Sequence, residues 1–123
     1  MSGYVMINAM RTPYHPNIEE ITVEGILHAF SDPVRIEIYA NLAASACAKN
    51  CSTFLNIQKR VLPKSTLSQH FRILREAGLV RSERKGVELI NSIRWEDLKE
   101  RFGPMILAIV DAYSKQQKTH SIT

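Results

Sequence analysis

The sequence predicts a mainly α fold with one small β-hairpin, in the order α-α-α-α-β-β-α. Three observations predict it. Apolar residues recur at helical spacing in the stretches 18–30, 33–44, 64–77 and 95–118. Two short runs flank Lys85-Gly86, as the arms of a hairpin would. Pro33, Pro63, Gly78 and Gly86 stand at the joints.

Residues 1–17 hold Pro13 and Pro16 with little periodicity and read as an N-terminal arm. A first helix is expected over 18–30, with Ile18, Ile21, Ile26 and Leu27 as its apolar positions. Ser31-Asp32-Pro33 starts the second: Asp32 can cap it, and Pro33 fits the first turn, where its missing N–H costs nothing. Val34, Ile38 and Leu42 share the buried face of this helix, which is expected to run to residue 44. The small-residue loop 45–52 holds Cys47 and Cys51, and a short third helix is expected over 53–60. Leu62-Pro63-Lys64-Ser65 turns into a fourth helix, which ends at Gly78, a natural left-handed cap. The runs 79–84 and 87–93 form the hairpin, with Arg84 and Lys85 at its tip. In the last helix, 95–118, Gly103-Pro104 is expected to make a kink or a break, because Pro104 cannot donate to the carbonyl of Glu100. Residues 119–123 are a C-terminal tail. Two helices joined by a tight turn and followed by a two-stranded wing make a winged helix-turn-helix. It is expected to occupy 18–118 as one domain, without internal repeats.

A chain of 123 residues can bury one core without disulfides or a structural metal. No apolar run is long enough to span a membrane, and the first ten residues lack the basic start of a signal peptide. A cytoplasmic protein with no membrane partner is expected. The net charge is +4, and its distribution says more than its size. Residues 54–94 carry nine basic and three acidic side chains, whereas 1–53 carry three basic and five acidic and 95–123 are balanced. A localised basic surface fits a polyanionic partner; a solvated lysine and arginine surface is the plainer alternative.

The fourth helix carries the most chemistry. Leu67, Phe71 and Leu74 form one apolar face, while Ser65, Ser68, Gln69 and Arg72 form a second face that is polar and holds no acid. A helix that enters the major groove needs donors and acceptors for base edges and nothing that repels phosphates. Gln69 can bond adenine in bidentate fashion, the serines can reach phosphates or bases, and Arg72 suits guanine or phosphate. Arg81, Arg84 and Lys85 make the following hairpin basic enough to lie along a minor groove or its phosphates. An ordinary exposed amphipathic helix and a solubilising turn are the competing readings of each part alone.

The segment LPKSTLSQHFRILREAGLVRSERKG resembles the helix-turn-helix and wing of the ArsR/SmtB family of bacterial transcriptional repressors. HAFSDPVRIEIYANLA resembles the start of that family's second helix, and the resemblance covers about residues 18–113. It implies a homodimer built on the first and last helices, bound to a pseudo-palindromic double-stranded operator and released by an inducer. Residue by residue, it places DNA contacts at Lys64, Ser65, Thr66, Ser68, Gln69, His70, Arg72, Arg84 and Lys85. His70 lies between the polar and apolar faces, where a structural histidine bonded to nearby backbone competes with a base reader. Leu98, Phe102, Met105, Ile106, Ile109, Val110 and Tyr113 form a wide apolar stripe on the last helix. Such a stripe serves either the chain's own core or a dimer seam; Phe102, Ile106, Ile109 and Tyr113 are expected between two chains.

Many members of that family bind metals. One of its patterns sets Asp and His two apart on the last helix, but here Asp111 is followed by Ala112 and Tyr113, and His120 stands alone. Another uses Cys-x-Cys at the start of the third helix, which would fall near Ser52 and Phe54; this chain has Cys47 and Cys51 instead. Those two thiols leave three readings open: a soft-metal site completed from elsewhere, a redox disulfide, or inert reduced thiols. His15 and His28 are further possible ligands with no spacing that argues for them. No metal and no cofactor are expected. The function expected is sequence-specific DNA binding by a homodimeric repressor, with a winged-helix module used only for protein contacts as the alternative. A thiol enzyme is not expected, because only Lys49 lies near the cysteines and no nucleophile motif or phosphate-binding glycine loop is present.

Overall fold

The computed structural model describes residues 13–44, 49–50, 56–57 and 60–122. A 3-10 turn at Ile18–Glu20 leads into α1 (Val23–Ala29) and α2 (Pro33–Ala44). Three two-residue strands follow: β1 (Lys49–Asn50), β2 (Asn56–Ile57) and β3 (Arg60–Val61). Then come α3 (Lys64–Glu76), β4 (Val80–Lys85), β5 (Glu88–Ile93) and α4 (Trp95–Ile122). The architecture is the expected one, mainly helical with an antiparallel wing. β4 and β5 pair from Val80↔Ile93 to Lys85↔Glu88, and β1 adds to the far edge of β5, with Lys49 opposite Asn91.

Three elements differ from expectation. The stretch 18–30 is two pieces rather than one helix, because it contains two start signals. Glu20 Oε1 accepts the Asn17 N–H at 2.7 Å in the 3-10 turn, and Thr22 Oγ1 then accepts the Gly25 N–H at 3.1 Å to begin α1. Ile21 and Ile26 enter the core, whereas Ile18 and Leu27 are exposed. The short helix expected over 53–60 is replaced, in its described residues, by an antiparallel pair with Ile57 opposite Arg60. The β-branched Ile57 and Val61 suit a ladder, and a helix that short has few hydrogen bonds to set against its nucleation cost. Residues 53–55 and 58–59 lie outside the described residues. Finally, α4 runs unbroken through Gly103-Pro104 and past residue 118 to Ile122. Phe102 and Ile106, on either side of Pro104, are both buried in the core. Their packing holds the helix together across the missing hydrogen bond.

The core joins the helices to the base of the wing. Ile26, Ile38, Phe71, Leu74, Leu79, Val80 and Leu98 are completely buried in it. Leu67, Phe71 and Leu74 anchor α3, each contributing about 1.5–3 kcal/mol by burial. Gly78 ends this segment with φ +86°, a conformation other residues adopt only under strain. A polar knot sits beneath the wing. The buried Ser82 hydroxyl donates to Asn91 Oδ1 and accepts from Arg75 Nη1 at 3.3 Å, so α3 is bonded to the strand pair. Beyond Ser82, residues 83–88 of the wing are exposed.

Candidate nucleic-acid interface

α3 starts after Pro63, whose extended backbone (φ −60°, ψ 146°) offers no side-chain cap, and its first turn holds no acid. The burial of Leu67, Phe71 and Leu74 sets the rotation of the helix. Lys64, Ser65, Thr66, Ser68, Gln69 and Arg72 are all exposed as a result. Six of the expected contact residues thus share one solvent-facing helix whose N-terminal N–H groups favour an anion.

Two of the expected residues sit in contacts the sequence did not suggest. Arg72 lies on a face read as free of acid, but Glu76, one turn later, meets it, with Nε 3.1 Å from Oε2. Both side chains are more than half exposed, so the pair contributes about 0.3–0.5 kcal/mol and a phosphate can compete for the arginine. His70 is half-buried, and its Nδ1 lies 3.1 Å from Arg35 Nη1.

In the wing, Gly86 turns the chain with φ +64°, next to Arg84 and Lys85, which are exposed. Val87 completes the tip and is 94% exposed. Arg81, at the wing's base, lies 3.8 Å from Asp97 Oδ2, the same oxygen that Arg94 Nε approaches at 3.0 Å. Arg81 is therefore partly neutralised, and the cationic end of the wing is its tip.

Three supporting residues had no signal in the sequence. Arg35 is a cation only 7% exposed, although arginine is rarely buried without partners. His15, in the arm, accepts the Ser82 N–H on Nε2 at 2.9 Å. Partial burial holds this imidazole below its usual pKa, and the nearby Arg81, Arg94 and Arg75 push it the same way. Arg75 reaches Ser82 from α3. All three act through polar contacts between different elements, which apolar spacing does not report.

The expected dimer residues divide. Phe102 and Ile106 are 8% and 1% exposed and belong to the chain's own core, so they offer no surface for a seam. The stripe on α4 is wider than a seam needs because part of it packs on α2 and into the core. Ile109 and Tyr113 are half-buried and pack against that core. Val23 and Leu27 on α1 and Leu107 on α4 are exposed apolar side chains of these two helices. Cys47 and Cys51 lie outside the described residues. Among the described residues no three His, Cys, Asp or Glu side chains converge as a metal site, and no helix is long and apolar enough to cross a membrane.

Residues 30–83 match the family model of a helix-turn-helix domain. The chain is 34% identical over 61 residues to an uncharacterized HTH-type transcriptional regulator of Methanocaldococcus jannaschii. That alignment spans 50% of this chain and 65% of the relative, just under two thirds of its length. Among solved structures, the fold is similar to that of an ArsR family transcriptional regulator, with a TM-score of 0.54 and 18% identity over 82% of this chain and 97% of that one. It is also similar to Rv0081 of M. tuberculosis, with a TM-score of 0.55 and 23% identity over 79% and 89% of the two chains. With the element order and wing pairing described above, these likenesses show that the chain has a winged helix-turn-helix fold.

Proposed function

We propose that this chain is a sequence-specific DNA-binding transcriptional regulator, acting in the cytoplasm as a homodimeric repressor on a pseudo-palindromic double-stranded operator. One observation carries the reading: α3 buries Leu67, Phe71 and Leu74 and exposes Lys64, Ser65, Thr66, Ser68, Gln69 and Arg72, with a basic wing tip following directly. Gln69 supplies the bidentate amide for an adenine edge. Lys64, Ser65, Thr66 and Ser68 stand at the uncapped helix start, where phosphate oxygens are favoured. Arg84 and Lys85 suit the phosphates flanking a minor groove. The homologous regulator and the ArsR-type neighbours support the same reading.

The homodimer is supported by exposed Val23, Leu27 and Leu107 and half-buried Ile109 and Tyr113, all on the two helices that the resemblance assigns to dimerisation. A two-fold protein presents two copies of α3, which matches half-sites about one helical turn apart. Release by an inducer completes the proposal, through a ligand that prefers the DNA-free dimer.

The test is selection of random duplexes by the purified chain, followed by affinity measurements at rising salt. An enriched inverted repeat whose affinity falls steeply between about 50 and 200 mM salt is expected. Recovery of unenriched sequence, with affinity flat in salt, overturns the reading and favours the protein-contact module.

A further inference from the structure

β4 leaves α3 at a fixed point. Gly78 turns the chain, and the Leu79 N–H donates to the Leu74 carbonyl at 3.0 Å, so the strand's approach is bonded to the last turn of the helix. A second tether lies further along. Arg75, half-buried on α3, donates from Nη1 to the Ser82 hydroxyl at 3.3 Å. A guanidinium has donors only, so Ser82 Oγ accepts there, and its one proton goes to Asn91 Oδ1 on β5. Asn91 is the register partner of Ser82, and both side chains are completely buried. The Ser82 N–H is taken in turn by His15 Nε2 at 2.9 Å. The arm, α3, β4 and β5 thus meet at one residue, through a relay from guanidinium to hydroxyl to amide.

Ser82 is also where the wing leaves the core. Val80 and Ser82 are the buried positions of β4, and from Glu83 to Lys85 the strand is exposed. Beyond the Ser82↔Asn91 pair the ladder continues through Glu83↔Ile90, Arg84↔Leu89 and Lys85↔Glu88. Lys85 therefore stands about 10 Å past the knot, at about 3.3 Å per residue. Over that length a tilt of about 15° at the knot shifts the tip by roughly 3 Å, which exceeds the whole range of a hydrogen-bond distance. The turn at Gly78 fixes where β4 begins, and the Arg75–Ser82 bond fixes where it points. We infer that Arg75 is a positioning residue for DNA binding: through Ser82 and Asn91 it sets the direction of the wing relative to α3, so that Arg84 and Lys85 reach phosphates of the same duplex that α3 enters.

This inference rests on the DNA-binding reading above. It gives a reason for polar side chains at two completely buried positions of the wing, 82 and 91. An apolar pair would bury as well but would hold no fixed angle, whereas a fully partnered hydrogen-bond chain has one geometry. It also separates the two halves of the surface. The contribution of the tip depends on Arg75, whereas that of Gln69, which α3 itself carries, does not.

Two measurements test it. The first is a mutant cycle on affinity for the selected operator. Lys85→Ala should weaken binding several-fold in the parent and by less than about twofold once Arg75→Met is present. Gln69→Ala should keep its full effect in both backgrounds. Ser82→Ala removes the acceptor without removing a charge, and it should silence Lys85→Ala in the same way. A full Lys85→Ala loss in folded Arg75→Met overturns the inference; where Arg75→Met does not fold, a full loss in Ser82→Ala overturns it. The second measurement reads the wing's direction without DNA, from residual dipolar couplings of backbone amides. In the parent, residues 83–85 and 88–90 should fit the alignment found for α3. In Arg75→Met they should depart from it, while α3 and α4 still agree with each other. Wing couplings that still fit in Arg75→Met overturn the inference as well. A parent whose affinity is flat in salt and indifferent to Lys85→Ala sinks the DNA-binding reading instead, and the couplings still decide whether Arg75 directs the wing.

Discussion

The Ser82 N–H donates to His15 Nε2 at 2.9 Å, joining the N-terminal arm to the first wing strand across 67 residues of sequence. The acceptor exists only while the imidazole is neutral. Burial, followed by the field of Arg81, Arg94 and Arg75, depresses the pKa of His15 below 6.5 in the folded chain. The unfolded chain therefore binds the proton first as pH falls. The stabilisation is complete above pH 6.5 and is lost as pH drops from there toward the folded value. The melting temperature should fall between pH 7 and 5.5, and the Ser82 amide should lose exchange protection over the same range. His15→Gln keeps an acceptor without a titration and should flatten both profiles. A parent profile already flat in both would remove His15 as the pH-sensitive clasp.

On the proposed reading, base reading and phosphate binding should separate at two positions. Gln69 is exposed on α3, and Lys85 is exposed at the wing tip. Gln69→Ala should cost about 1–3 kcal/mol per half-site on the operator and leave binding to random duplex nearly unchanged. Lys85→Ala should weaken both by a similar factor and lower the salt slope by about one. Equal losses on operator and random DNA for Gln69→Ala would show that α3 lies on DNA without reading bases there.

Arg72 and Glu76 face each other at 3.1 Å on an exposed surface. Glu76→Gln removes a carboxylate from the neighbourhood of the phosphates and releases the arginine. Binding to random duplex should strengthen several-fold with a steeper salt dependence, while stability changes by no more than about 0.5 kcal/mol. Unchanged affinity at low salt would place Arg72 away from the DNA.

Helix α3 was legible because its signals are local. Leu67, Phe71 and Leu74 repeat within two turns, Gly78 supplies the positive φ that ends the segment, and Asp32 caps α2 through the Val34 N–H as its place before Pro33 implies. What escaped the sequence depends on distant partners. The His15 and Arg35 contacts span 67 and 35 residues and involve polar side chains, which leave no periodic trace. The local pairing of Ile57 with Arg60 replaced a short helix, whose few hydrogen bonds set little against its nucleation cost. Pro104 failed to break α4 because burial of Phe102 and Ile106 outweighs one lost hydrogen bond.

The proposed dimer can be tested only at a residue the single chain does not need. Ile106 is 1% exposed, so a charge there would unfold the chain and report nothing about assembly. Ile109 is half-buried against the core, and a charge there would mix the two effects. Leu107, 58% exposed on α4, is the discriminating position. In a monomer, Leu107→Glu leaves its carboxylate in water and the fold intact. In a two-chain seam the same carboxylate would be buried without a partner, at a cost of about 3 kcal/mol or more, a factor of at least about a hundred in the dimer constant. Sedimentation should therefore show a folded monomer. Operator affinity should fall with it, because a lone chain engages one half-site and loses the second copy's contacts. A Leu107→Glu chain that sediments as a full dimer would place the seam elsewhere, with Val23 and Leu27 on α1 the next positions to charge.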